Sequence, residues 1–365
     1  MNQSIVAFWI ATVAGCVGHA NAATLAAATV QKLDKAIEAE MRANNLPSVA
    51  VAAWIPGRGN YVVAKGQANL SMGEPRRVDD PFRIASITKT FIATAILQLV
   101  DQGKLSKTDR LSKWYPGFPN ADLITVDDLL RMRSGIPDSA DPTFIDEYYA
   151  NPLMNLAADD MINRAAARPQ EFTAPGGITR YTNVNFIILE QIVVKTTHRQ
   201  IGTYLSDAIF KPLKMNRSSY PTGTSVPGPL RGYSLNAATG QLEDRTVLNP
   251  TPAGGAGAMI STVSDLRNYA RALCRGTLLK PATQAARLQT APLEGTARYG
   301  EGIATLGPFC GHNGTIFGFS SEMWYLPAKD AVIVINVNRL DKDDKSQSSG
   351  VFAAVARVLF PDLIH

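Results

Sequence analysis

Histidine and cysteine are scarce in this 365-residue chain, which has four of the first (His19, His198, His312, His365) and three of the second (Cys16, Cys274, Cys310). Those two residue types supply the nitrogen and sulfur ligands of zinc and related metals, so few such sites can be assembled. The spacings HExxH, CxxC and Walker A do not occur, and neither does the Gly-x-Ser-x-Gly elbow of the α/β-hydrolases. Charge is also sparse, at 18%. The net charge of +5 comes from scattered Lys and Arg, without the basic stripe that nucleic-acid binding requires. What is present is a 45% hydrophobic content with 22 Pro and 28 Gly spread along the chain, a globular profile that excludes disorder and collagen. At roughly 150 residues per domain, the length predicts about two packed units.

Residues 1–22 contain no Lys, Arg, Asp or Glu, and Ile5 to Gly18 form an apolar run too short to span a membrane but suited to a signal peptide. Ala20-Asn21-Ala22 supplies the small residues of a cleavage site, so export to the periplasm or medium is expected. Val13-Ala14-Gly15-Cys16 resembles a lipobox, in which Cys16 would be acylated and anchor the chain to a membrane. Simple secretion is the favoured reading. Either route leaves Cys274 and Cys310, which in an oxidising compartment form a disulfide or stay as two buried thiols.

Val30, Leu33, Ile37 and Met41 recur at helical spacing and predict an amphipathic helix over 29–44. Residues 48–55 and 61–68 read as a β-hairpin around Pro56-Gly57. Helices are expected from Ser86 to Val100, after the Thr125 to Asp128 capping box, over 183–196, from about Thr262, and over 348–359. Residues 219–256, rich in Pro and Gly, read as loop and irregular sheet, and 299–338 as three β-rich segments. Strands near both ends with helices between them predict an α/β domain, an antiparallel β-sheet flanked by helices, built from residues 23–85 and 250–365. A mainly helical domain, 86–249, is inserted into it.

Within SITKTFIATAILQLV (86–100), Lys89 is the sole charged residue of a helix that is apolar all round and therefore buried. Ser86 and Lys89 are three apart, so their side chains share one face of the helix at its N-terminal end. Burial and the positive end of the helix dipole both lower the pKa of that amine toward a value at which it can take a proton from the serine. A first-turn lysine whose amine reaches water is the alternative.

Three further segments bear on that choice. The pair stands in FRIASITKT (82–90), followed by Tyr181-Thr182-Asn183 and then His312-Asn313-Gly314-Thr315. The order Ser-x-x-Lys, Tyr-x-Asn, His-x-Gly resembles the serine β-lactamase and penicillin-binding family of the class C type, which includes D-alanyl-D-alanine carboxypeptidases and related esterases. LLRMRSGIPD (129–138), PGG before YTNVNF, and AGGAGAMISTVSDL (253–266) extend the resemblance over roughly residues 30–358.

The resemblance implies a nucleophilic Ser86, with Lys89 and Tyr181 sharing the proton transfers and Asn183 holding the substrate amide. The backbone N–H groups of Ser86 and Thr315 would form an oxyanion hole. His312, Asn313 and Gly314 would lie on an edge strand facing Ser86, with the glycine admitting substrate close to the backbone. Asn183 also reads as a helix N-cap, and Tyr181 and His312 as core residues. His312-Asn313-Gly314 stands where class C β-lactamases carry Lys-Thr-Gly, which points toward carboxypeptidase, D-amino-acid amidase and esterase branches. Met132 replaces a common family histidine. Arg298, next to an expected strand, is a candidate grip for a substrate carboxylate.

The expected function is an exported serine acyl hydrolase of the D-alanyl-D-alanine carboxypeptidase type, acting through an acyl-enzyme on Ser86 with no metal or organic cofactor. An esterase, a class C-like β-lactamase and a non-catalytic envelope penicillin-binding protein are the alternatives. The expected partner is a small molecule or peptide (a D-alanyl peptide, β-lactam or ester) and not a nucleic acid. The oligomeric state is left open.

Overall fold

The structure is a computed structural model that describes residues 25–172, 175–293, 297–342 and 346–363. The expected signal peptide and Cys16 lie outside the described residues. The chain opens with helix α1 (Ala27–Ala43), which buries Leu33 and Ile37 and leaves its charged side in water. Strands β1 (Ser48–Ile55) and β2 (Gly59–Asn69) form the expected hairpin, followed by the short β3 (Glu74–Pro75) and β4 (Phe82–Arg83). A single 3-10 turn, Ala85–Ile87, leads into α2 (Thr88–Asp101).

The middle of the chain supplies α3 (Val126–Leu130), α4 (Pro142–Ala150), α5 (Ala158–Ala166), α6 (Val184–Thr197) and α7 (Ile201–Leu205). The ribbon β5 (Tyr233–Leu235) and β6 (Leu242–Asp244), the turn of helix α8 (Gly254–Gly257) and β7 (Ile260–Ser261) come next. Then follow α9 (Val263–Arg275), α10 (Pro281–Arg287), β8 (Ala291–Pro292), β9 (Ala297–Tyr299), β10 (Ala304–Leu306), β11 (Phe309–Ile316), β12 (Phe319–Leu326), β13 (Ala331–Val337) and α11 (Gln347–Leu359).

Sequence chemistry accounts for the helix boundaries. Thr125 and Asp128 exchange the two hydrogen bonds of a capping box at α3, Asp141 caps α4 with Pro142 in its first turn, and Thr262 caps α9, which Gly276 ends in a left-handed conformation. Each of these caps satisfies backbone donors or acceptors that a bare helix end would leave open.

One antiparallel sheet joins the two ends of the chain in the order β3-β2-β1-β13-β12-β11-β10-β9-β8. β1, near the start of the chain, pairs with β13, near its end, Val51 opposite Ile335. All side chains of β1, β12 and β13 are buried, so β1 and β13 read as nearly continuous apolar runs without the alternation of a one-sided sheet, while β12 buries Ser320, Ser321 and Glu322 among its apolar residues. Helices cover both faces. Phe352 of α11 stacks edge-on against Phe309, and Ser348 and Ser349 donate to Glu322. On the other face Arg275 of α9 donates to Tyr325, and Cys274 of α9 is disulfide-bonded to Cys310 of β11. The alternative of two free thiols is therefore not what the fold contains.

Residues 299–338 hold more strands than the three segments expected. β10, β11, β12 and β13 all fall there, and β10 is only three residues long, too short to show a period of two. β11 is also not the sheet's terminal strand, since β10, β9 and β8 lie beyond it. β10 covers only Phe309 to Gly311, however. From His312 onward that side of β11 faces the turn at Ser86 instead of a strand.

The helical layer lies across this opening. β4 and β7 pair where the chain leaves the sheet and where it returns, Phe82 opposite Ser261. Residues 231–235 also come back to the sheet's end, with Arg231 N donating to Ala68 O and Tyr233 N to Asn338 O. A buried ion pair links the two layers: Arg131 Nη2 reaches Glu301 Oε1 at 2.6 Å, and Lys107 Nζ reaches the same oxygen at 2.7 Å.

Candidate active site

The turn before α2 places Ser86. Ala85, buried and with φ of +48°, occupies the left-handed region that side chains avoid. That conformation costs about 1–2 kcal/mol and is kept where the surroundings determine it. It opens the 3-10 turn that carries Ser86 and runs into α2 at Thr88, and 11 of that helix's 14 residues are buried. Lys89, in the first turn, is fully buried, so the reading in which its amine reaches water does not hold.

Lys89 Nζ has three partners: Ser86 Oγ at 2.9 Å, Asn183 Oδ1 at 2.8 Å and the Ala256 carbonyl oxygen at 2.8 Å. All three are uncharged. Burial lowers its pKa to about 7, with the Asp138 carboxylate acting in the opposite direction. An ammonium donates to all three partners. A neutral amine donates to Asn183 and Ala256 and turns its lone pair toward the serine hydroxyl, so one arrangement serves both protonation states. The Tyr181 ring lies with its centroid 4.9 Å from Nζ and meets Tyr299 edge-on.

Asn183 stands at the start of α6 but does not cap it, because its side chain makes no capping hydrogen bond. Both of its ends are committed across the site: Oδ1 accepts from Lys89, and Nδ2 donates to Asp138 Oδ2 at 2.8 Å. The Ala256 carbonyl is held from behind. Buried Glu190, one face of α6 away, accepts from Gly255 N at 2.8 Å and from Tyr220 Oη at 2.8 Å. Burial raises the Glu190 pKa to about 7. A Cβ at Gly255 would collide with the Phe186 carbonyl, so a glycine is required for α8 to sit this close to α6.

β11 closes the other side. A Cβ on Gly314 would come within 2.9 Å of Ser86 N and collide with the Ile84 carbonyl, which explains a glycine at that point of the strand. Asn313, Gly314 and Thr315 line the cleft with Ser86. His312 does not face Ser86 as expected. Its Nδ1 lies 2.5 Å from the Asn313 carbonyl and must donate to it, leaving Nε2 to accept from Tyr299 Oη at 3.3 Å. Burial, aided by the charge of Lys89, depresses its pKa to about 3, so the ring is neutral. It buttresses Tyr299, which in turn meets Tyr181.

Arg298 is not in the cleft. Its exposed side chain donates to Thr290 Oγ1 and to the Thr290 carbonyl, because its position in β9 faces it outward while Tyr299 faces in. Three groups at the site were assigned no role from the sequence: Asp138, Glu190 and the Ala256 carbonyl. Asp138 ends the LLRMRSGIPD stretch, a charge in a Pro-Gly turn and the one available signal. Met132, also in that stretch, is buried and takes a contact from Asn185 Nδ2. The cleft has a volume of about 660 Å³ and an apolar wall that includes Phe144, Tyr148, Ile187 and Phe317.

Residues 33–356 match the beta-lactamase family model. The chain is 30% identical to a D-stereospecific amidohydrolase from Streptomyces sp., with a TM-score of 0.78 over 90% of this chain and 97% of that one. It is 26% identical to the D-amino acid amidase of Ochrobactrum anthropi SV3 in complex with D-phenylalanine, with a TM-score of 0.79 over 90% and 98%. A penicillin-binding protein of Bacillus subtilis is 24% identical over 314 residues, 81% of this chain and 68% of the relative. Curated relatives that match at 29% identity are longer, and the chain spans 42–47% of their length.

Proposed function

The chain belongs to the beta-lactamase family of serine hydrolases, and from that premise we propose that it hydrolyses amides or esters, D-alanyl peptides included, through an acyl-enzyme on Ser86. The observation that carries this reading is the buried Lys89 amine, 2.9 Å from Ser86 Oγ, with a pKa lowered to about 7. In its neutral form Lys89 takes the hydroxyl proton as Ser86 Oγ attacks the carbonyl carbon. The negative charge that develops on the carbonyl oxygen is met by the backbone N–H groups of Ser86 and Thr315. Lys89 and Tyr181 pass the proton to the leaving group. Water then attacks the ester carbonyl, the same groups take its proton, and they deliver it to Ser86 Oγ as the acyl–Oγ bond breaks and the acid is released.

Asn183, tied to both Lys89 and Asp138, orients the amine and receives the substrate amide. The enzyme acts after export, a placement supported by the apolar run at 5–18 and by the Cys274–Cys310 disulfide. Reaction with a fluorophosphonate followed by peptide mapping tests the nucleophile. The adduct is expected on Ser86 and absent from Ser86→Ala; modification of another residue in its place would refute the assignment.

A further inference from the structure

Glu190 and Glu322 are buried carboxyl groups with neutral hydrogen-bond partners, and burial raises the pKa of each. Glu322 accepts from Trp324 Nε1 at 2.7 Å and from Ser348 and Ser349, so it ties β12 to the helix α11 that covers it. The bonds of Glu190 lead instead toward the nucleophile. Its Oε2 accepts from Gly255 N at 2.8 Å. The carbonyl of the next residue, Ala256, accepts from Lys89 Nζ at 2.8 Å, and Nζ lies 2.9 Å from Ser86 Oγ.

We propose that Glu190 is a positioning residue for this reaction: through the Gly255 amide it fixes the Ala256 carbonyl against Lys89 Nζ, and so sets how readily the serine proton is taken. The proposal deepens the acyl-hydrolase reading above and rests on it. Asn183, at the start of α6, and Glu190 are seven residues apart, which puts them on one face of that helix two turns from each other. The helix therefore holds the amine by two routes, directly through Asn183 Oδ1 and indirectly through Glu190 and α8. The segment between needs such a hold, because Gly254-Gly255-Ala256-Gly257 is a single turn with little stiffness of its own. Its far end is fixed by Met259 N donating to Thr88 Oγ1 at 3.2 Å and by Ile84 N donating to Met259 O at 3.0 Å. At its near end the backbone is shaped around Glu190. Gly254 has φ of +43°, and a Cβ there would stand 3.0 Å from Glu190 Oε2.

An ammonium gains more from a well-placed carbonyl than a neutral amine does, so the Ala256 carbonyl opposes the effect of burial on Lys89. If that carbonyl turns away, the ammonium loses one of its three acceptors, the amine becomes a weaker base, and its lone pair is less firmly aimed at Ser86. Lys89 is also faced by Asp138, the Tyr181 ring and neutral His312, and Glu190 by Tyr220 and, farther off, Tyr115, both kept neutral by burial. Glu190 holds Gly255 in either protonation state. As a carboxylate it accepts from Tyr220 Oη and Gly255 N; as an acid it donates to Tyr220 Oη while Oε2 still accepts from Gly255. A change in the pH profile on replacing Glu190 therefore reports on Lys89.

The test measures kcat, KM and the pH profile of 4-nitrophenyl acetate hydrolysis for the wild type, Glu190→Met and Glu190→Gln. Methionine fills the space without an acceptor, whereas glutamine keeps an oxygen for Gly255 and a donor for Tyr220. Glu190→Met is expected to lower kcat by about 10- to 100-fold, the scale of a misplaced catalytic group, with KM within about threefold of the wild type. The rise of kcat/KM is expected to move to lower pH by about half a unit or more. Glu190→Gln is expected to restore kcat to within about threefold and to return the midpoint. Wild-type kcat and midpoint in Glu190→Met, or a glutamine variant as impaired as the methionine one, overturns the proposal. Should Glu190→Met not fold, Tyr220→Phe replaces it: with one donor lost the carboxyl can turn, and kcat is expected to fall by about 3- to 10-fold. An unchanged kcat there also overturns the proposal. Fluorophosphonate labelling of the wild type separates the two readings. Labelling on Ser86 with an inert Glu190→Met substitution removes the positioning role alone, whereas a wild type that neither labels on Ser86 nor turns over the ester removes the acyl-hydrolase reading and the positioning role with it.

Discussion

Lys89 and Arg131 are both buried where the helices meet the sheet, yet Lys89 faces neutral oxygens and Arg131 faces carboxylates. Arg131 donates to Asp127 at 2.9 Å and to Glu301 at 2.6 Å, and also to the carbonyls of Gln289 and Ala286. Its charge is neutralised on the spot, so the group acts as a fastener between layers. Lys89 has two carbonyl-type oxygens and a hydroxyl around it. Hydrogen bonds of that kind hold the amine in position but do not repay the lost hydration of a full charge, and the proton is correspondingly easy to remove. Burial against carboxylates thus gives a structural ion pair in one region, whereas burial among neutral oxygens lowers the pKa of the Lys89 amine in the other.

The strongest challenge to that contrast is Lys89→Met. Removing the base is expected to lower kcat by about 10⁴-fold or more, as for a member of a catalytic unit, measured at saturating ester substrate. A loss below tenfold would show that Lys89 is as structural as Arg131. Arg131→Met makes the converse test. It leaves buried Glu301 with Lys107 as its remaining ion-pair partner among the described residues, and denaturant unfolding is expected to report a loss of about 3–5 kcal/mol, while kcat per folded molecule changes far less.

A third test follows the proton. The Lys89 pKa is about 7 in the fold and near 10.4 in an unfolded chain. Below pH 7 both states are protonated and the fold carries the full cost of burying the charge. Between 7 and about 10.4 the unfolded chain binds the extra proton, so stability rises with pH. Relative to Lys89→Met, the wild type is expected to gain about 2–3 kcal/mol between pH 6.5 and 9.5, and kcat/KM to climb through pH 7. A pH-independent difference in stability would contradict a lowered pKa. The smallest effect is expected at the solvent-exposed pair Lys113–Asp109, where Lys113→Ala is predicted to cost below about 0.5 kcal/mol by thermal unfolding. A larger loss there would mean that burial is not what separates these ion pairs.

Much of this site was legible in the sequence because its parts are local. Ser86 and Lys89 share a helical turn, and the single charge in an apolar stretch marked the amine as unusual before its surroundings were known. The capping signals at Thr125 and Thr262 and the helical periodicity over 29–44 are local for the same reason. Asp138, Glu190 and the Ala256 carbonyl were not legible. Glu190 is 65 residues from the Gly255 amide it holds, and nothing in IILEQIV distinguishes a buried, bonded carboxylate from a surface one. Asn183 read equally as a helix cap, and Arg298 as a grip for substrate, because both readings depend on where a side chain points after folding.

Helix boundaries, the alternation of segments, and a lysine placed one turn from a serine were determined by the chain itself, through hydrogen bonding and periodicity that act within a few residues. The value of that lysine as a base was decided by the tertiary structure. Its pKa depends on what replaces water around the amine, and those groups come from residues 183 and 256 and from the absence of a carboxylate like Glu301 at its side. The same long-range packing turned His312 toward Tyr299, sent Arg298 out to Thr290, and joined Asp138 to Asn183.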